Sequence, residues 1–397
     1  MDVYDVKDTG GGYILCGRYG MHDRIDDPDT FAKYGAFMLL TDEDGKAKKF
    51  MIYPEIHVLY SVVDFGKFSL TKRNGFFAVG RSIEKEGLFK AVMLRTKYDL
   101  NPICQKNVAG VSTISTADKV NLESTFRRVI RKGSNNFVMI GHTNGGGEIC
   151  MKDSDVLFAV ADRKCKIKKV KNNLMLRQYK MKDSNEYGLS IADTGRTLII
   201  TGNIQRLTTK EKCKVVGDDI LLMTLNKKGL VAAAARVDID SGPDTGTSIL
   251  FRKKTKSILV AGETQTSLLT DVALSPTSKD IFLLETDMKM KKAKKLEVFG
   301  KAMDEEREVD VVLSQDDNAV ILGNSKSFTS AQSTYLIERY NQVDERCYYE
   351  KVDVELIPIK FEVLKPTYER IQTPKVERKL ETEDVDLNQT IICKKEP

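Results

Sequence analysis

Tyr13-Ile-Leu-Cys-Gly17 is a short apolar run closed by glycine, and five more runs in the chain have the same form. They are Phe76-Phe-Ala-Val-Gly80, Phe137-Val-Met-Ile-Gly141, Leu198-Ile-Ile-Thr-Gly202, Ile258-Leu-Val-Ala-Gly262 and Ala319-Val-Ile-Leu-Gly323. The glycines are 63, 61, 61, 60 and 61 residues apart. A fixed period of this size marks one supersecondary unit copied along the chain.

The first copy shows what the unit contains. A short strand over residues 3–7 meets the turn Asp8-Thr-Gly-Gly-Gly12, and the apolar run from Tyr13 follows. A polar stretch leads to Ala36-Phe-Met-Leu-Leu40, which is closed by Thr41-Asp-Glu-Asp-Gly45, a hairpin signal. A charged, alternating segment over residues 46–53 returns from it. The unit is therefore four antiparallel strands. Its third-strand cores recur as Ala91-Val-Met-Leu94, Val156-Leu-Phe-Ala159, Ile220-Leu-Leu-Met223, Ile281-Phe-Leu-Leu284 and Tyr335-Leu-Ile337. The two middle strands are apolar on both sides, as a sheet covered on both faces requires.

Six such units, packed radially, predict an all-β, six-bladed β-propeller over residues 1–356. The sixth unit is expected to end on its own outermost strand. The repeat glycine is explained by close approach of backbones near the axis. Gly11-Gly-Tyr-Ile-Leu-Cys-Gly17, followed by Ala36-Phe-Met-Leu-Leu-Thr-Asp-Glu-Asp-Gly45, resembles the DGGYILAG-type propeller repeat of bacterial and protist proteins, many of them secreted or on the surface. Later units depart from it, with Asn74-Gly75 and Asn135-Asn136 in place of the Asp-Gly-Gly turn. The resemblance implies the fold and leaves the activity open.

Beyond the last repeat glycine the character changes. No glycine follows Gly323, and Pro358, Pro366, Pro374 and Pro397 all fall in residues 357–397. This segment reads as an extended C-terminal tail. Residues 352–363 are strand-like on both sides of Pro358, and proline restricts such a strand to an edge. The tail is either a solvated arm or a strand that adds to a sheet edge, of this protein or another.

Composition narrows the function. The charge is only +6, from 63 basic and 57 acidic residues, which argues against a nucleic-acid surface. Local basic runs occur at residues 163–171, 252–256 and 289–295; the first and last read as lysine-protected outer strands, or the runs form a surface for an acidic partner. No run of apolar residues is long enough to insert into a membrane. The chain opens Met1-Asp-Val-Tyr-Asp, without a secretory leader, so an intracellular site with reduced thiols is expected; an extracellular one follows if the chain is a processed fragment. None of the 7 cysteines forms a CxxC pair, and Cys347 and Cys393 flank the tail at positions open to bridging.

No metal or cofactor is expected. His22, His57 and His142 lie in different contexts, and no phosphate-binding loop or nucleophile elbow occurs. The stretch Asp238-Ile-Asp-Ser-Gly-Pro-Asp244 alternates acids as a calcium loop does but lacks the full ligand set. One constellation stands out. The residue after each repeat glycine is Arg18, Arg81, His142, Asn203, Glu263 or Asn324, and all 6 are polar. Repetition places them at equivalent points, so they are the candidate binding ring at the axial mouth, or they only mark where each strand leaves the core. Long, unlike loops at residues 19–34, 143–155, 204–218 and 264–279 neighbour them and hold Arg24, Asp26, Lys210, Glu211, Lys212, Leu268 and Leu269. The reading that follows is a non-catalytic scaffold within a larger assembly, with protein partners on the loop face and the tail. The alternatives are a secreted or cell-surface recognition propeller and an enzyme with a site at the mouth.

Overall fold

The computed structural model describes residues 1–20, 35–65, 67–69, 72–73, 75–83, 89–108, 123–145, 153–170, 173–181, 184–207, 215–239, 242–265, 279–299, 306–313, 319–325, 334–339, 348–351, 356–360, 362–364, 368–371 and 376–377. Among them there is no helix. The chain divides into two compact units, Met1–Lys180 with Glu362–Asp386, and Met181–Phe361 with Leu387–Pro397.

The first unit holds three antiparallel sheets, each built around four strands in chain order, with small two-stranded ribbons, Lys67–Ser69 with Lys72–Arg73 and Lys169–Val170 with Asn173–Leu174, interposed in the second and third. The sheet strands are Asp2–Asp8, Tyr13–Tyr19, Gly35–Thr41 and Ala47–Tyr53; Ile56–Asp64, Phe76–Ile83, Phe89–Thr96 and Pro102–Val108; and Ser124–Lys132, Asn136–Gly145, Asp153–Asp162 and Leu176–Lys180. The second unit repeats the plan with Ser184–Asp193, Leu198–Leu207, Val215–Leu225 and Val231–Val237, and with Asp244–Arg252, Ser257–Thr264, Asp280–Asp287 and Ala293–Phe299. Its last sheet has three described strands, Glu306–Leu313, Ala319–Ser325 and Thr334–Arg339.

Alternation along the middle strands explains the stacking. In the second sheet Phe76, Ala78, Val92 and Leu94 join a core with Ile14, Cys16 and Met38 of the first. Their neighbours Phe77, Val79, Ala91 and Met93 join a core with Phe126, Phe137 and Leu157 of the third. The fifth sheet does the same: Ile258, Val260, Phe282 and Leu284 face one core, Leu259, Ala261, Ile281 and Leu283 the other. A run apolar at every position is thus a strand covered on both faces. Each large side chain so buried contributes about 1.5–3 kcal/mol.

The repeat glycine has a reason inside its own sheet. The first strand of each of the first five sheets carries a bulge opposite it: at Tyr4, Tyr60, Arg127, Leu189 and Thr247 the ladder skips one residue. The bulge drives a carbonyl toward the second strand. A Cβ on Gly80 would lie 1.9 Å from the Val58 oxygen, and one on Gly141 1.9 Å from that of Thr125. Gly17, Gly202 and Gly262 face the same clash. In these sheets the approach that excludes a side chain is therefore to the neighbouring strand of the same sheet, whereas the sequence suggested convergence at an axis.

The turns between third and fourth strands share a second device. Asp42, Asp162, Asn226 and Asp287 each accept the N–H groups two and four residues on, for example Lys164 N at 2.8 Å and Lys166 N at 3.0 Å on Asp162. This is side-chain mimicry of a backbone turn. The next residue but two takes positive φ. It is Gly45 or Gly229 in two sheets, but Leu100, Cys165 and Met290 in the others. Those three side chains are buried, so core packing offsets the cost of the left-handed backbone.

The outer edges are not where the sequence placed them. Tyr348–Lys351 pairs with Ala293–Phe299, and Leu356–Pro358 with Val231–Val237. In the first unit, Glu362–Leu364, Tyr368–Ile371 and Val376–Glu377 pair with Leu176–Lys180, Pro102–Val108 and Ala47–Tyr53. Each of these sheets thereby gains a fifth, antiparallel strand, and the fourth strand is internal. Tyr348–Lys351 belongs to the fifth sheet, not to the sixth, whose own outermost strand it was expected to be. Pro358, opposite Ala235, sits in an edge strand as its missing N–H requires. Of the two basic runs expected in outer strands, the last enters the fourth strand Ala293–Phe299 at Lys294 and Lys295, and the first begins in a turn. Arg163 and Lys164 are in an exposed turn, and Lys253, Lys254 and Lys256 are in another.

Candidate functional site

The bulges aim one side chain per sheet out of the regular ladder, and in the first unit these side chains meet. Tyr4 and Tyr60 pack edge to face with ring centroids 5.1 Å apart. The Arg127 guanidinium lies 4.2 Å from the Tyr60 ring centre. Just past its repeat glycine, Arg81 lies 4.0 Å from the ring centre of Phe89. The Phe89 ring also meets that of His57, with centroids 5.1 Å apart. Each stacked guanidinium gains about 0.5–2 kcal/mol, more as water is excluded.

His142, on the neighbouring second strand, shares this electrostatic environment. Burial, then the positive charges of Arg127 and Arg81, hold its imidazole down to a pKa of about 3. Burial likewise pulls Arg81 below the usual arginine value, and Arg127 adds to the effect. Glu123 is the carboxylate whose charge Arg81 senses. Its Oε2 instead accepts Asn144 Nδ2 at 3.1 Å. Among the described residues, neither Arg81 nor Arg127 has a hydrogen-bond or ion-pair partner.

Directly beneath the bulges runs a buried polar ladder. Asp5 Oδ2 accepts the Ser61 hydroxyl at 2.8 Å and the Val62 N–H at 3.0 Å, while Ser61 Oγ accepts Val129 N at 3.3 Å. Lys7 and Arg128 pair with Asp5 at 2.9 and 3.6 Å. The ladder is fully satisfied and ties three first strands together, which fixes the positions of the bulged side chains above it.

In the second unit the corresponding ends of the strands carry acids, and these are engaged. Asp219 takes Arg206 at 3.1 Å and Arg236 at 2.5 Å. Glu263 takes Lys279 at 2.9 Å. Asp244 accepts Ile239 N at 2.8 Å and the Thr264 hydroxyl at 2.6 Å. Burial nonetheless raises the Asp244 pKa to about 8, with Asp238 and Asp219 adding to it. Within the alternating stretch of residues 238–244, Asp244 thus bonds back to Ile239, and Asp240 lies outside the described residues. No group of three or more His, Cys, Asp or Glu able to hold a metal occurs among the described residues.

The six residues expected to form a ring have different fates. Arg81 and His142 enter the cluster with Arg127. Arg18 pairs with Asp2 at 2.6 Å, and Glu263 with Lys279. Asn203 is buried in the ladder between Tyr187 and Ile220. Asn324 is in register with Tyr335, and its side chain lies outside the described residues. Arg127, Tyr60 and Tyr4 were missed because bulged residues share no residue type. His22, Cys347, Cys393 and the residues named in the long loops lie outside the described residues.

Cysteine pairing departs from expectation. Cys104 and Cys165 form a disulfide, with their Cα atoms 6.2 Å apart. Cys104 lies in the fourth strand of the second sheet and Cys165 in the turn after the third strand of the third sheet, so the bond ties two neighbouring sheets together. Cys165 is brought there by the positive-φ turn. Cys16 is free and buried, and burial pushes its thiol well above the usual value. Among the described residues no helix is long and apolar enough to cross a membrane. No protein-family model matches the chain, and no curated protein matches it in sequence.

Proposed function

We propose that the chain is a six-bladed β-propeller of the DGGYILAG type and works as a non-catalytic interaction scaffold in a larger assembly. The observation that carries this reading is the recurrence of one four-stranded sheet with its bulge and glycine, while side chains at equivalent strand ends differ from sheet to sheet. A repeated backbone carrying unlike residues suits recognition of protein surfaces better than one chemistry. The tail strands pair with five sheet edges, so recognition by strand addition is already used within the chain. Partners then bind at the loop ends. The test replaces residues 21–34 and 266–278 by short Gly-Ser turns and identifies proteins cross-linked to each folded variant. Loss of native partners from either variant is expected; full retention in both contradicts the reading. An electron-microscopy map with five or seven blades contradicts the architecture.

A second reading, the secreted or cell-surface recognition propeller, is favoured by the Cys104–Cys165 bridge, since such bonds persist in oxidising compartments. Mass spectrometry of native material under thiol-trapping conditions decides it. A bridged peptide pair supports the secreted form, and two alkylated thiols support an intracellular scaffold.

A further inference from the structure

We propose that Arg81 and Arg127 form a binding site for the oxyanion of a small molecule, a phosphate or a carboxylate. The inference concerns the first unit alone and does not depend on the propeller closure or the scaffold role proposed above.

Arg81 is in register with Val58, on the strand whose Tyr60 ring holds the Arg127 guanidinium, and His142 is in register with Thr125, two residues from Arg127; like charges gathered in this way repel each other. Such an arrangement costs stability unless an anion compensates it. Several described arginines are compensated by acids, Arg18 by Asp2, Arg128 by Asp5, Arg206 and Arg236 by Asp219 and Arg252 by Glu285, and Arg95 and Arg131 donate to backbone carbonyls. Arg81 and Arg127 stand apart. Each is held by a ring against one face, Phe89 for Arg81 and Tyr60 for Arg127. Stacking uses the face of the guanidinium and leaves its in-plane N–H donors for a ligand, in the fork that matches carboxylate and phosphate oxygens. Tyr60 is itself clamped by Tyr4 and sits on the strand anchored by the Asp5–Ser61–Val129 ladder. The fork is therefore preorganised, and little side-chain entropy remains to be lost on binding. Glu123, which accepts from Asn144, biases the site toward ligands of moderate charge.

The test titrates the full chain with inorganic phosphate and, separately, with citrate, using sodium chloride at equal ionic strength as the reference. Binding is read by calorimetry and by the His142 ring signals in NMR. Saturable binding of one anion per chain, with a His142 pKa raised on saturation, is expected from at least one of the two. Phosphate alone or citrate alone then identifies the headgroup. Arg81→Gln and Arg127→Gln are each expected to weaken binding at least tenfold, Arg127→Lys less, and Lys228→Gln in an exposed turn not at all. If the glutamine variants do not fold, the unmodified chain still decides. Absence of saturable heat and of any His142 shift with both anions overturns the proposal, as does binding unchanged by both glutamine variants.

Discussion

The two units share a backbone plan and differ in how they treat charge. In the first, bulged Tyr4, Tyr60 and Arg127 come together, and the cations Arg81 and Arg127 are stacked on rings with no carboxylate partner among the described residues. In the second, the bulges carry Leu189 and Thr247, and the polar strand ends are closed by ion pairs at Asp219 and Glu263. The difference teaches that the bulge is a mounting device, whereas the residue mounted on it decides whether a sheet end is merely completed or left with valence to spare. Charges completed within the chain contribute to stability, and charges left over are available to a ligand.

Several substitutions can break that contrast. The largest effect is expected at the disulfide, which is confined to the first unit. Cys104→Ser with Cys165→Ser is expected to cost about 4 kcal/mol of unfolding free energy in urea, the value for cross-linking a loop of this size. A loss below about 1 kcal/mol would mean that the packing of the second and third sheets suffices alone.

Next is the asymmetry itself. Asp219→Asn leaves Arg206 and Arg236 facing each other over a buried site and is expected to cost about 2–3 kcal/mol, discounted for the exposure of Arg206. Arg127→Gln removes a repulsion together with one stacked contact, so its stability is expected to stay within about 1 kcal/mol of the parent. Equal losses for the two changes would abolish the distinction between a closed and an open end. Gly141→Ala tests the mount directly. Its Cβ meets backbone rather than a movable side chain, and a loss of about 1–3 kcal/mol is expected.

The two limbs of the pH profile run in opposite directions. The His142 pKa is depressed in the folded chain to about 3, against an ordinary value of 6.5. Its contribution is present above pH 6.5 and is lost as pH falls toward 3. The Asp244 pKa is raised to about 8 from 3.8. Its contribution is present below pH 3.8 and is lost as pH rises through 8. His142→Gln should flatten the acid limb and Asp244→Asn the alkaline one, both read as urea midpoints against pH. A variant that flattens the opposite limb would show the assignment to be reversed.

How much of this was legible beforehand follows from what each feature depends on. The glycine-closed runs repeat because a strand covered on both faces must be apolar throughout, and this is written in residue type. The bulges are not, because Tyr4, Tyr60, Arg127, Leu189 and Thr247 have nothing in common but their place opposite a glycine. Arg81 and His142 could be singled out since they follow the glycine directly, but Arg127 becomes their partner only when neighbouring sheets stack. The tail showed its strand character around Pro358, yet which edges it joins is a property of the folded sheets. The Cys104–Cys165 pair was hidden for another reason: it joins a strand of one sheet to a turn of the next, and only the stacked sheets bring the two together.

The most direct test of an uncompensated cationic pair in the first unit is the titration of His142 by NMR in an anion-free, low-salt buffer. Only three histidines need assignment, His22, His57 and His142. The account predicts that the His142 ring stays neutral to about pH 3 and that Arg127→Gln raises its midpoint. A midpoint near 6.5 in the parent chain, unmoved by Arg127→Gln, would contradict it.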